Sequence, residues 1–334
     1  MFKIAVFRAL QLGDLLCAIP AISALKYNYP QVRLYFIGLP HMRELIDRFD
    51  CIDEFIDFPG HPDLPEIPCN LSELAHFISR MQAEKFDLLL QMHGQGTIVN
   101  NFLQNFNAQR LVGFQPTSDV NDPDWLKYPH ELHEVDRHLA LVRYLGLQIP
   151  NTKMYFPLFA KDWTAYNKIK QVIAQPFIIV HVGSRDIKRQ WPIENFALLA
   201  KKMLVRGYKV VMTGVKSEQA LVDRLQECLE DKAIDFCGQL DLGTLGCLLK
   251  ETSLLICNCT GISHLAAALQ TKSIVLSMDG EPHRWGPQDK VLHATFDARY
   301  PIAIDDITKE INRLVGLDLA AAQHLQATRK ISEE

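Results

Sequence analysis

Short apolar strand-like runs alternate with amphipathic helix-like segments along nearly the whole chain, and this alternation limits the fold more than any other feature. Residues 3–7 (Lys-Ile-Ala-Val-Phe) read as a strand, followed by a helix over 14–28 with Leu15, Ile19, Ile22 and Leu25 on one face. Further strands are expected at 32–37, 52–58, 87–92 and 110–114, and helices at 41–49, 71–82, 98–106 and 132–146. Residues 59–70 hold four prolines and read as an irregular loop, with a second long loop at 115–131. A linker-like stretch over 148–161 carries Pro150 and Pro157. The pattern then restarts. Strands are expected at 177–182, 209–213, 233–236, 254–257 and 273–276, with helices at 194–206, 218–230, 242–251 and 261–269. Strands separated by helices of this length predict βαβ units and parallel sheets. The expectation is therefore an α/β chain of two facing Rossmann-like domains, 1–160 and 161–304. Residues 305–334 are a candidate to pack back onto the first.

Size and charge agree with this division. A chain of 334 residues exceeds one typical core. With 48% apolar and 22% charged residues it has the composition of a soluble globular protein. The net charge of −4 argues against nucleic acid as a partner. Residues 1–150 carry −6 and the remainder +2, which favours the second half for an anionic ligand. The eight cysteines form no CxxC pair and read as reduced thiols of a cytoplasmic protein. No apolar run reaches the about 18 residues of a spanning helix, and no signal peptide is visible. Membrane contact is expected to be peripheral at most, from the cytoplasmic side.

A dinucleotide oxidoreductase would show GxGxxG after the first strand, but the turn Ala9-Leu-Gln-Leu-Gly-Asp14 holds one glycine. In open α/β sheets ligands bind beyond the carboxyl ends of strands, where Asp14 is expected. It is either an ordinary helix N-cap, the reading sequence alone favours, or a general base facing a cleft. His181-Val-Gly-Ser-Arg-Asp-Ile-Lys-Arg-Gln-Trp-Pro192 follows a strand with small residues and three cations. Its Gly183, Ser184, Lys188 and Arg189 suit an anionic phosphate better than a merely solvated loop. Cys257-Asn-Cys-Thr-Gly-Ile-Ser-His264 runs from a strand into a helix, so Thr260, Gly261 and His264 occupy a natural anion site. His93-Gly-Gln-Gly96 ends a strand, and His93 or Gln95 could touch a hydroxylated substrate; a plain turn is equally consistent. His130-Glu-Leu-His-Glu-Val-Asp-Arg-His138 lacks metal-ligand spacing and reads as a polar first turn of a helix, so no metal is assigned.

These stretches, in order, resemble glycosyltransferase family 9, the ADP-heptose:lipopolysaccharide heptosyltransferases. Arg8, Leu12-Gly13-Asp14, Pro20-Ala21, Leu25 and Pro30 are similar to its opening. His181-Val-Gly-Ser184, Trp191-Pro192, Phe196 and Leu199-Ala200 resemble its donor-domain start. Thr213-Gly214, Asn258, Thr260-Gly261, His264 to Ala268 and Arg284-Trp-Gly-Pro287 resemble the later blocks. The resemblance implies a GT-B fold, with a nucleotide-sugar donor on the second domain and a lipid-linked glycan acceptor on the first. It implies an inverting glycosyltransferase with Asp14 as general base and no cofactor. Ser184, Lys188, Arg189, Thr260, Gly261 and His264 would meet the donor phosphates. Gly183, Thr213, Gly214 and Cys259 would lie at the nucleoside and sugar, and Gln11, Gly13, His93 and Gln95 on the acceptor side. The chain departs from the family pattern in carrying Leu10-Gln11 where small hydroxyl residues are common. It also has Arg189 where the basic phosphate residue stands, with Lys188 beside it, and Cys259 in place of an Asp. A thiol is a poor acceptor, so a sugar other than heptose stays open. A nucleotide-sugar epimerase or hydrolase, or a non-catalytic sugar-nucleotide-binding scaffold, are the alternatives.

Overall fold

The computed structural model describes residues 1–117, 122–173 and 176–316. The chain divides into two compact units, Met1–Pro157 and Leu158–Glu334. The first contains β1 (Lys3–Phe7), α1 (Leu12–Asn28), β2 (Arg33–Gly38), α2 (Arg43–Ile46), β3 (Glu54–Asp57), α3 (Leu71–Glu84), β4 (Leu88–Gln91), α4 (Thr97–Gln104), β5 (Arg110–Gln115), β6 (Trp125–Lys127) and α5 (Glu134–Tyr144). Its strands form one parallel sheet in the order β3-β2-β1-β4-β5-β6, with Ala5 of β1 opposite Tyr35 and Leu89. A parallel sheet is covered on both faces, so its inner strands are continuous apolar runs, and Ile4, Ala5, Val6 and Phe7 are wholly buried. Phe7 meets Phe58 edge-on at 5.1 Å, and Phe102 meets Phe106 likewise at 5.1 Å, in the aromatic part of this core.

The second unit contains α6 (Ala160–Ile173), β7 (Phe177–His181), α7 (Ile193–Val205), β8 (Lys209–Met212), α8 (Gln219–Cys228), β9 (Ala233–Asp235), α9 (Leu242–Glu251), β10 (Leu255–Asn258), α10 (Gly261–Ala268), β11 (Ser273–Ser277), α11 (Pro282–Trp285), β12 (His293–Asp297) and α12 (Ile304–Val315). Its parallel sheet runs β12-β11-β10-β7-β8-β9. Numbered from its own first strand, this is the same 3-2-1-4-5-6 winding as the first sheet. The strand order therefore reverses between β1 and β4 in one unit and between β7 and β10 in the other. Ligand crevices of doubly wound sheets form at these reversals.

Five elements were not expected from the sequence: β6 inside the loop over 115–131, α6 after the linker, and α11, β12 and α12 beyond residue 276. Ile307, Ile311 and Leu314 line one face of α12 and are buried with Ile274 and Leu276 of β11. This apolar stripe holds residues 304–315 in the second unit, which corrects the expected return of that segment to the first. The rest of the expected segment, 317–334, lies outside the described residues. Among the described residues no helix is long and apolar enough to cross a membrane.

Candidate active site

At the carboxyl end of β1 the chain turns through residues 8–11 into α1, which starts two residues earlier than expected. Gln11, in extended conformation, is the N-cap, and Asp14 stands three residues inside the helix. The plain N-cap reading of Asp14 is thereby corrected. Its Oδ2 accepts the Gln11 backbone N–H at 3.3 Å, as an acidic side chain in a first turn does. Its Oδ1 lies 3.5 Å from Nη2 of Arg8, and its side chain is 26% exposed.

Arg8 is completely buried. Its Nε donates to the Asp14 carbonyl at 2.8 Å, its Nη1 to the Met92 carbonyl, and its Nη2 to Glu134 Oε1 at 3.0 Å. Glu134 also accepts from Arg137 Nη1 at 3.1 Å, and Arg137 donates to Tyr128 Oη and the Pro129 carbonyl, both at 2.9 Å. A buried guanidinium costs several kcal/mol unless its donors are met, and here they are. The network joins the ends of β1 and β4 to α5, with Asp14 at its rim.

Two buried histidines adjoin it. Burial and then the Arg8 charge push the His138 pKa down to about 4, with Glu134 Oε1 3.4 Å away. Burial and Arg8 likewise push His93 to about 3. His93 Nε2 lies 3.7 Å from Glu66 Oε1, while its Nδ1 has no hydrogen-bond partner among the described residues. Gln91, fully buried, braces this loop by donating to the His93 carbonyl at 2.6 Å and accepting from Phe114 N–H at 3.1 Å. Gln95 is exposed and Gly13 buried, and Gln11 Oε1 pairs with His41 Nε2 at 3.1 Å. His133 caps α5 through Nδ1, and no group of three metal-ligating side chains occurs among the described residues.

The second unit repeats the placement at β7 and β10. Asn258, fully buried at the end of β10, accepts the Trp191 N–H at 2.9 Å and donates to the Val182 carbonyl at 2.7 Å. One amide side chain thus fixes both ends of the loop that carries Gly183, Ser184, Lys188 and Arg189. Lys188 is exposed. Arg189 turns inward, its Nη2 donating to the Cys259 carbonyl at 3.1 Å and to Asp279 Oδ2 at 2.6 Å. Thr260 is the N-cap of α10, and its buried hydroxyl has no hydrogen-bond partner among the described residues. His264 is buried against Trp285, ring centres 5.9 Å apart. Burial, with the Asp279 charge, raises the Cys259 thiol to about 12, so it is no anion.

On the other side of β7, Thr213 Oγ1 bonds His181 Nδ1 at 3.0 Å. Glu218 accepts the Val215 N–H at 2.9 Å, and burial raises its pKa. A Cβ on Gly183 would lie 2.0 Å from the Glu218 carboxyl carbon, so only glycine allows this approach. A Cβ on Gly214 would lie 3.1 Å from Glu218 Oε2, a tight contact but not an overlap. The first-unit candidates Gln11, Gly13, Asp14, His93 and Gln95 thus gather at one strand reversal. The second-unit candidates gather at the other and along β8.

Glu134, Glu218 and Asp279 were not singled out from the sequence, and Arg8 was named only in the opening block, without a role. Arg8 had a signal, a charge directly after an apolar strand. Glu134 sat in a stretch read as a polar turn. Glu218 and Asp279 had none.

The sequence model of glycosyltransferase family 9 (heptosyltransferase) matches residues 74–303. Lipopolysaccharide heptosyltransferase 3 of Escherichia coli is 22% identical over 286 residues, covering 82% of this chain and 83% of that one. Lipooligosaccharide heptosyltransferase 2 of Haemophilus ducreyi is 25% identical over 297 residues, 83% of each. Among solved structures, a family 9 glycosyl transferase from Veillonella parvula superposes with a TM-score of 0.78 at 18% identity, covering 94% of this chain and 97% of that one. E. coli heptosyltransferase WaaC with ADP gives 0.71 at 16% identity, covering 93% and 99%. The expected α/β GT-B class stands, and the chain belongs to glycosyltransferase family 9.

Proposed function

We propose that this glycosyltransferase moves heptose from ADP-heptose onto a hydroxyl of a lipopolysaccharide-core or related envelope glycan, with inversion and with Asp14 as general base. One observation carries the base assignment. A partly exposed carboxylate stands at the carboxyl end of the first strand, paired with a buried guanidinium 3.5 Å away. In this reaction Asp14 takes the acceptor hydroxyl proton as the oxygen bonds to the anomeric carbon. The bond from that carbon to the diphosphate oxygen breaks, and its electron pair leaves with ADP. A single displacement on the face opposite the leaving group inverts the centre. The reaction as written uses no cofactor.

The second unit supplies the donor side. The growing charge on the diphosphate is met by Arg189 and by the amides at the start of α10, beside the Thr260 hydroxyl, which has no hydrogen-bond partner among the described residues. Arg189 suits this role better than Lys188, because it is already fixed against Cys259 and Asp279. Glu218, in the cradle left by Gly183 and Gly214, suits the nucleoside. Family membership and the names of the relatives support heptose as the sugar. Cys259 meets it as a neutral thiol.

Asp14→Asn tests the assignment. Transfer is expected to fall by roughly 10²–10⁴-fold while ADP binding stays within about twofold, because the side chain acts on the acceptor alone. Wild-type rates in that variant would remove Asp14 as base. Release of ADP without acceptor would point to a hydrolase or epimerase, and binding without turnover to a scaffold.

A further inference from the structure

Arg189 is held by acceptors from two neighbouring strand ends, the Cys259 carbonyl just past β10 and the Asp279 carboxylate just past β11. Asp279 is itself immobilised. Its Oδ1 accepts from Ser277 Oγ at 2.6 Å and from the Glu281 N–H at 3.1 Å, leaving Oδ2 for Arg189 at 2.6 Å. Burial works against its charge, but the Ser277 and Glu281 hydrogen bonds and the Arg189 charge outweigh it and keep the carboxyl below its ordinary range. Cys259 contributes its carbonyl oxygen and no charge.

A carboxylate beside a cationic site can do one of two things. It can occupy the cation and compete with an incoming anion, or it can anchor one corner of the guanidinium and leave the rest on offer. A competitor would use both oxygens on one edge of the fork. Asp279 uses one oxygen on one nitrogen, the same Nη2 that also binds the Cys259 carbonyl. Arg189 Nε is buried and has no hydrogen-bond partner among the described residues, an unfilled donor on an otherwise fixed plane. The Arg189 side chain is 40% exposed against 15% for Asp279, so the cation and not the carboxylate is the group open to a ligand.

We propose that Asp279 is a positioning residue of the donor site: with the Cys259 carbonyl it fixes the Arg189 guanidinium so that its remaining N–H groups meet the donor diphosphate. The inference rests on the donor reading above and adds to it a residue that acts only through Arg189. A long flexible side chain tethered in advance loses less freedom when the anion arrives.

The test is calorimetric binding of ADP and of adenosine to the full chain and to Asp279→Ala, Asp279→Asn, Arg189→Ala and the double variant Arg189→Ala/Asp279→Ala. Asp279→Ala should weaken ADP about tenfold and Arg189→Ala by more, with adenosine unchanged in both. Asp279→Asn, which keeps an acceptor but loses the charge, should fall between wild type and Asp279→Ala. The double variant should be no weaker than Arg189→Ala alone, because the carboxylate has nothing left to position. Tighter ADP binding in Asp279→Ala would make the carboxylate a competitor and overturn the proposal. Additive losses in the double variant, or an equal loss of adenosine binding in both Asp279 variants, would also overturn it, by giving Asp279 an independent or merely structural role. If the wild-type protein binds neither ADP nor adenosine, the donor reading fails, and this proposal with it.

Discussion

Arg8 decides what Asp14 can be. An aspartate in the first turn of a helix is ordinary, and the sequence could not separate cap from base because the deciding partners are remote. Glu134, which shares Arg8 with Asp14, lies 126 residues downstream of that arginine. Removing one partner of a buried ion pair costs about 3–5 kcal/mol, whereas replacing the whole pair by neutral groups is far milder. Arg8→Met should therefore destabilise the protein by about that amount, and replacing the whole buried cluster, in Arg8→Met/Glu134→Gln/Arg137→Met, should restore most of the loss, because Glu134→Gln alone would strand the buried Arg137. Transfer should stay depressed in the triple variant, since Asp14 would still lack its guanidinium. Denaturant midpoints and kcat separate the two effects. Recovery of stability and activity together would reduce Arg8 to a structural residue. Arg8→Lys, with three donors and no planar fork, cannot serve the acceptors of Arg8 and should show a smaller loss of both.

At the scale of elements, the inner strands were legible, as were the edge strands β3 and β9, whereas the edge strands β6 and β12 were not. β1, β4, β7 and β10 are unbroken apolar runs because both faces of each sheet are covered. β6 and β12 are edge strands whose residues are mostly half-buried, so neither carries such a run. α12 is amphipathic, but it lies past the last apolar strand seen in the sequence. The turn after β4 was left open between a substrate contact and a plain turn, and the structure divides its two glycines. Gly94 has φ +63° with nothing within 4 Å of an added Cβ, whereas Gly96 has φ +104° and would bring that Cβ 2.2 Å from the Phe114 carbonyl oxygen. Gly94→Ala should cost only the left-handed penalty of about 1–2 kcal/mol. Gly96→Ala must also move backbone, so its cost should exceed that by roughly 1–3 kcal/mol. Equal urea midpoints for the two variants would show that the start of α4 shifts freely. Gly96 also begins the helix behind His93 and Gln95, so its variant should impair acceptor use more than donor binding.

For the whole molecule, the sequence contained two βαβ runs but not their winding. Strand order depends on pairings such as Ala5 with Leu89, which no local pattern encodes. The winding is what brings scattered candidates to one strand reversal in each unit, and it also buries histidines, His93, His138 and, largely, His181 near those candidates and His293 at the amino end of β12. His93 is pushed down to about 3, and His138, His181 and His293 to about 4, burial being the first cause for each. In the unfolded chain a histidine titrates near about 6.5. Between that value and the folded one, the unfolded state binds the extra proton, so the stability present above about pH 6.5 is lost as the pH falls. The slope reaches about 1.4 kcal/mol per pH unit for each histidine, or about 3 for the pair in each unit. Going from pH 6.5 to 5 thus removes roughly 3 kcal/mol from a unit, a large share of the about 5–15 kcal/mol typical of a folded domain. The urea midpoint should be flat from pH 7 to 8 and fall steadily below 6.5. His138→Gln should remove about half of the first unit's slope, because one of its two buried titrating rings is gone. A midpoint that stays level to pH 4.5 would mean that these rings are protonated or hydrated in the folded protein. The buried Arg8 network would then have to accept a further positive charge beside Arg8 and Arg137, with Glu134 as its nearest counter-ion.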